Sequence, residues 1–232
     1  MLQNLSHKFR SGCLMLARKQ GESVTFLGTC FLVHREGYLL TAAHLVSDPE
    51  GLVAVPTSQT DDFTPFIAER VAAFPVERVG ADTVRDVALL RLTQDIEIDV
   101  PYDFLGSTGG VRPGASLMSL GYSFGHLQAQ TLMGYDSVVA AKVRSSNGTA
   151  LIFYNSPFHE GDRGGPLIHV ADGHIIGIVN GRFDPADFVA DGASEYHPLD
   201  PREANISYAV AIEYGLDLLR EIGINPTPGI SE

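Results

Sequence analysis

The sequence predicts an all-β fold, a barrel or a sandwich. Short apolar runs rich in strand-forming residues recur along the chain. Its 24 glycines and 13 prolines are spread out, as turns between many short strands require. Only one segment, close to the C-terminus, carries a strong helical period. At 232 residues there is room for one compact domain or for two small barrels sharing an interface.

In the first half the strand-like runs are Cys13–Ala17, Val24–Val33, Tyr38–Ala43, Leu52–Pro56, Phe66–Phe74 and Val87–Leu92. After a turn-rich stretch they resume as Ser116–Gly121, Ser137–Val143, Ala150–Tyr154, Pro166–Val170, His174–Val179 and Ile206–Val210. That stretch, Phe104 to Gly114, holds Gly106, Gly109, Gly110, Pro113 and Gly114 and is the best internal boundary. The helix spans 211–222, with Ile212, Leu216, Leu219 and Ile222 on one face. The tail from residue 223 to Glu232 reads as a linker to further domains.

Composition narrows the function. With 44% apolar and 19% charged residues the chain is not a disordered segment. A formal net charge of −12 leaves no basic surface for phosphates, so no nucleic acid is expected as a partner. Two cysteines exclude a disulfide scaffold and a four-cysteine zinc site. The histidines show no metal-ligand spacing, and neither a metal nor another cofactor is expected. No membrane span is visible, because the longest charge-free stretch, Pro113 to Tyr135, is interrupted by glycines and polar residues. Lys8 and Arg10 precede an uncharged run, Ser11 to Ala17, that is too short for a secretory leader. A cytoplasmic protein with two buried thiols, Cys13 and Cys30, is the expectation; placed about equally far from Gly21, the two could face each other across a hairpin. Between Asp184 and Glu203 six acids stand against Arg202, which reads as a solvated loop or as a rim attracting basic partners.

Three stretches carry chemistry. They are Thr41-Ala-Ala-His44, then Asp86 ahead of Val-Ala-Leu-Leu-Arg-Leu92, then Gly161-Asp-Arg-Gly-Gly-Pro-Leu167. Singly, each has a plain reading: a capping histidine, a turn aspartate and a tight glycine turn. In this order they resemble the trypsin-like serine peptidases, over about residues 10–222. Leu27-Gly-Thr-Cys-Phe-Leu-Val33 with Gly37-Tyr-Leu-Leu-Thr-Ala-Ala-His44, and Ile206 to Glu213, are similar to the bacterial HtrA/Deg-like branch.

The resemblance implies two antiparallel six-stranded β-barrels, chymotrypsin-like, with a C-terminal helix. The barrels would cover about 10–105 and 112–210, the helix 211–222, and the peptidase domain 1–222. His44 would be the general base and Asp86 would fix its tautomer. The backbone amides of Gly161 and residue 163 would form the oxyanion hole. Pro157, Phe158, Asn180 and Gly181 would lie along the substrate, and Pro157 argues against a basic residue at the cleavage site. The nucleophilic serine is missing: Arg163 stands in its position, and a guanidinium stays protonated and cannot attack a carbonyl. Ser156, seven residues upstream, is no evident substitute. Two readings remain open: a serine endopeptidase scaffold in a form without its nucleophile, or a pseudoprotease that binds a peptide or protein partner in the old cleft. Leu45, where the secreted branch usually has cysteine, again favours the cytoplasm.

Overall fold

The computed structural model describes residues 1–57, 61–63, 65–67, 72–94, 98, 100, 101, 103–183 and 205–225. The acidic stretch from Asp184 to Glu203 and the tail beyond Asn225 lie outside these residues. Twelve strands close into two antiparallel six-stranded barrels. The first comprises β1 (Cys13–Gln20), β2 (Ser23–His34), β3 (Tyr38–Thr41), β4 (Leu52–Val55), β5 (Phe74–Asp82) and β6 (Val87–Leu92), in the order β1-β2-β3-β6-β5-β4. The second comprises β7 (Ser116–Gly121), β8 (Met133–Arg144), β9 (Ala150–Tyr154), β10 (Pro166–His169), β11 (His174–Arg182) and β12 (Ser207–Ala211), in the order β10-β11-β12-β9-β8-β7. Closure removes the free sheet edges that invite mispairing.

Each barrel buries an interior of its own. Leu16, Cys30, Leu39, Leu90 and Ala88 fill the first, and Leu117, Ile152, Tyr154, Leu167 and Ile176 the second. A third cluster joins the barrels, setting Phe31, Leu40 and Leu89 against Leu120, Ile168 and Ile178. Two helices cover it. The helix α2 (Glu213–Glu221) buries Leu216 and Leu219, whereas Ile222, predicted on the same face, is 40% exposed just past its end. The helix α1 (Leu2–Phe9) was not foreseen. It buries only Leu5 and Phe9, one turn apart, too few positions to display a period. Lys8 and Arg10, which resemble the flank of a leader, precede β1, and the uncharged run beyond them supplies that strand.

Two expectations need correction. Phe66 and Ile67 are exposed and outside any strand; β5 starts at Phe74, where the predicted run ended. Only Val76 of β5 is buried, so its sequence, FPVERVGAD, shows no alternation to read. Cys13 and Cys30 are free and buried but do not face each other. Cys13 pairs with Phe31 and Cys30 with Leu14, and a one-residue offset puts side chains on opposite faces of a sheet. Burial raises both thiols far above the ordinary cysteine value.

Candidate active site

The register of β3 and β6 brings the first two motifs together. Thr41 at the end of β3 pairs with Ala88 near the start of β6. The chain leaving β3 and the chain entering β6 therefore emerge at the same end of the barrel. His44 lies three residues past Thr41, in a 3-10 turn spanning Ala43–Val46, and Asp86 two residues before Ala88. Asp86 takes a left-handed backbone conformation, φ 58°, that aspartate tolerates better than most residues. Its Oδ1 accepts the His44 amide at 2.7 Å and its Oδ2 stands 2.6 Å from His44 Nδ1. Because a carboxylate only accepts, the His44 proton is assigned to Nδ1 and Nε2 is left as the basic nitrogen.

A third residue joins from the other barrel. In the β11–β12 ladder Val179 pairs with Ala209 and Gly181 with Tyr208, so Asn180 is the extra residue of a bulge. The bulge aims its Nδ2 at Asp86 Oδ2, 2.8 Å away. Burial alone would raise the Asp86 carboxyl, but hydrogen bonds and charge from His44, with the Asn180 amide, outweigh it and hold the group below its ordinary value.

The 159–165 loop forms the facing wall. Asp162 N–H donates to His159 C=O at 2.9 Å, Gly165 N–H to Asp162 C=O at 3.0 Å and Gly164 N–H to Val179 C=O at 2.7 Å. Thr29 of β2 anchors the loop across the barrel interface. Its hydroxyl donates to Gly161 C=O at 2.7 Å while accepting the Tyr122 amide at 3.0 Å, and its own amide donates to Arg163 C=O at 2.8 Å. The glycines are needed for this packing. A Cβ at Gly161 would stand 2.0 Å from Tyr122 C=O, and one at Gly164, φ +83°, would stand 2.1 Å from Thr29 C=O. Among the described hydrogen bonds, the amides of Gly161 and Arg163 donate to no protein acceptor.

Asp162 is buried, accepting the Ser123 hydroxyl at 2.7 Å and the His159 amide at 3.0 Å. Burial raises its carboxyl above the ordinary value, and these bonds offset only part of the shift. Arg163 projects into the cleft. Its Nη1 donates to Glu160 Oε2 at 2.9 Å, and its guanidinium carbon lies 5.2 Å from the Phe158 ring centre.

Between the walls is a cleft of about 720 Å³ that contains His44, Asp86, Phe158, Arg163, Asn180 and Gly181. Pro157 is exposed and does not line it. Sequence reasoning missed Phe124, His126, His159, Arg182 and Tyr208, which do. Ser156 is buried with its hydroxyl on Pro157 C=O and does not line the cleft, and the described lining contains no serine, threonine or cysteine. Tyr154 and Phe158 pack in the second core beneath.

A family model described as a trypsin-like peptidase domain matches residues 28–178. This chain belongs to the trypsin-like peptidase family. Similar relatives include the probable periplasmic serine endoprotease DegP-like of Pseudomonas fluorescens, 24% identical over 84% of this chain and 35% of the relative. The protein of the same name from Halomonas elongata is 29% identical over 70% of this chain and 31% of the relative. The chain thus spans about a third of the length of these relatives. Among solved structures, an HtrA-type protease, AlgW with a tripeptide, superposes with a TM-score of 0.68 at 21% identity, covering 96% of this chain and 63% of the other. This trypsin-like chain therefore has the fold that the sequence resemblance implied, two six-stranded barrels and a C-terminal helix.

The expected cytoplasmic location does not stand, because these relatives are named periplasmic, which points to the periplasm. The expectation rested on the short uncharged run after Lys8 and Arg10 and on Leu45, and the two free thiols were expected to follow from it. Thiols held on opposite faces of a sheet cannot pair in any redox compartment, so their free state does not report one.

Proposed function

We propose that this trypsin-like chain is an HtrA-type peptidase scaffold that holds the general base and oxyanion groups but lacks a nucleophile, and that its cleft binds peptide without cleaving it. Residues 1–222 act as the peptidase domain, with 223–232 as a tail. The observation that carries this reading is Arg163. It occupies the cleft with His44 and is held by Glu160 and Phe158, and no serine, threonine or cysteine lines the described cleft beside it.

The chemistry follows from the geometry. Asp86, supported by Asn180, orients His44 so that Nε2 can take a proton from an attacking hydroxyl. At position 163 there is instead a guanidinium, which stays protonated at any working pH and cannot attack. The unpaired Gly161 and Arg163 amides supply donors for a developing oxyanion, and the glycine packing below them fixes their position. Arg163 itself is accommodated by an ion pair and an aromatic face, which favours a binding role over an enzyme that has merely lost one atom group.

Arg163→Ser tests the reading. The native chain should hydrolyse no casein or peptide library and should resist fluorophosphonate labelling. Arg163→Ser should label and cleave, and adding His44→Ala should remove both activities. Cleavage by the native chain that depends on His44, or a folded Arg163→Ser that neither labels nor cleaves, would overturn it.

A further inference from the structure

We propose that the cleft recognises a peptide carboxylate, held by Arg182. This rests on the reading of the cleft as a peptide site and names what that site selects. Arg182 ends β11, two residues past Asn180, and lines the cleft beside Phe158, Gly181 and Tyr208. One of its terminal nitrogens, Nη2, donates to Phe158 C=O at 3.0 Å. That bond holds the guanidinium over the cleft floor and leaves further N–H groups of its fork available.

Charge bookkeeping within the cleft singles out this residue. Its described lining has two guanidinium groups and two carboxylates. Asp86 is engaged by His44 and Asn180, and Glu160 by Arg163. Arg182 is left with a neutral carbonyl and, among the described residues, no carboxylate partner. A planar guanidinium matches a carboxylate through two parallel hydrogen bonds, and a partly desolvated pair is stronger than one in open water. The imidazoles of His126 and His159 also line the cleft.

A dianionic group fits less well. One cation beside the Phe158 carbonyl, without a carboxylate partner among the described residues, balances one negative charge, not two. The chain as a whole, at −12, repels anions at long range, but that field is screened beyond about 8 Å at physiological salt. The preference is therefore a contact effect. Pro157 lies outside the cleft, so its apolar ring does not define what the floor accepts.

The carboxylate can be an Asp or Glu side chain or the C-terminus of the peptide. Four decapeptides of one Ala/Leu/Gly background, labelled with an uncharged dye, separate these sources: central Glu or Gln, each with a free or an amidated C-terminus. Anisotropy titration of the full chain at 0.15 M salt should show about tenfold or greater preference for a peptide with the recognised carboxylate. Arg182→Gln, which removes the charge and the fork, should remove that preference. Arg182→Lys should retain only part of it, because it keeps the charge and loses the fork. If Arg182→Gln does not fold, the Glu and Gln comparison on the native chain still decides. Equal affinity for all four peptides, or a preference that survives Arg182→Gln, would overturn the carboxylate proposal and leave the peptide cleft intact. If the folded native chain binds none of the four, the peptide-binding reading itself falls, and this proposal falls with it.

Discussion

The two walls of the cleft are built on different principles. On one wall the order is in the side chains: His44 on Asp86, Asp86 on Asn180. On the other, the order is in the backbone. The 159–165 loop is fixed by Thr29, by main-chain hydrogen bonds and by glycines whose absent side chains let Tyr122 and Thr29 carbonyls approach. The Arg163 side chain contributes to neither, since its partners are an exposed carboxylate and an aromatic face. A loop held by its main chain keeps its shape whatever residue stands at 163. This is how a catalytic backbone can coexist, on the proposed reading, with a residue unable to catalyse.

The largest expected effect breaks the backbone-built wall. In Gly161→Ala the new methyl meets a carbonyl 2.0 Å away, on main chain that cannot swing aside. Destabilisation of about 3 kcal/mol is expected, at the upper end of overpacking costs. For a domain of this size that lowers the Tm by roughly 6–12 °C in a thermal melt. A Tm within about 1 °C of the native chain would show that the loop relaxes and that glycine is not what fixes it.

The same division explains what was legible in the sequence. Val87–Leu92 is buried on both faces except at Arg91, so it reads as a continuous apolar run and its predicted limits match β6. β8 runs from Met133, four residues before the predicted start, because its buried and exposed positions alternate and Gly134 and Asp136 lie on the outward side. β5 and α1, with one and two buried residues, offered no pattern at all. In the site, His44 and Asp86 were visible because local motifs surround them. Thr29 and Arg182 were not, since their roles come from partners 132 residues away in one case and from a cleft assembled by both barrels in the other.

The next prediction sharpens the contrast between the walls through their aspartates. The folded Asp86 carboxyl is lowered, so the unfolded chain binds protons more tightly and the stability Asp86 supplies is lost as pH falls through the ordinary carboxylate range towards its folded value. The folded Asp162 carboxyl is raised, so there the native chain holds the proton more tightly, and stability declines as pH rises from the ordinary value through the raised one. In urea titrations between about pH 3 and pH 6, near the reference carboxylate values, Asp86→Asn should therefore flatten the acid-side loss of stability, and Asp162→Asn should steepen it. Shifts of the same sign in both variants would show that the two carboxylates do not sit in opposed environments.

The smallest expected effect concerns Glu160. Its side chain is 74% exposed, and its contact with Arg163 is a surface ion pair three residues apart. Such pairs contribute about 0–1 kcal/mol, because solvent screens the attraction and two long side chains lose rotamer freedom. Glu160→Gln keeps an acceptor for Arg163 while removing the charge. Its unfolding free energy should stay within about 0.5 kcal/mol of the native chain, measured by urea titration at 0.15 M salt. The backbone of the loop has no bond to this carboxylate among the described residues, so nothing beneath it should move. A loss above about 1 kcal/mol would exceed what an exposed pair supplies. It would mean that the Arg163 side chain helps to hold the 159–165 loop, and that the two walls are not built as differently as their hydrogen bonds indicate.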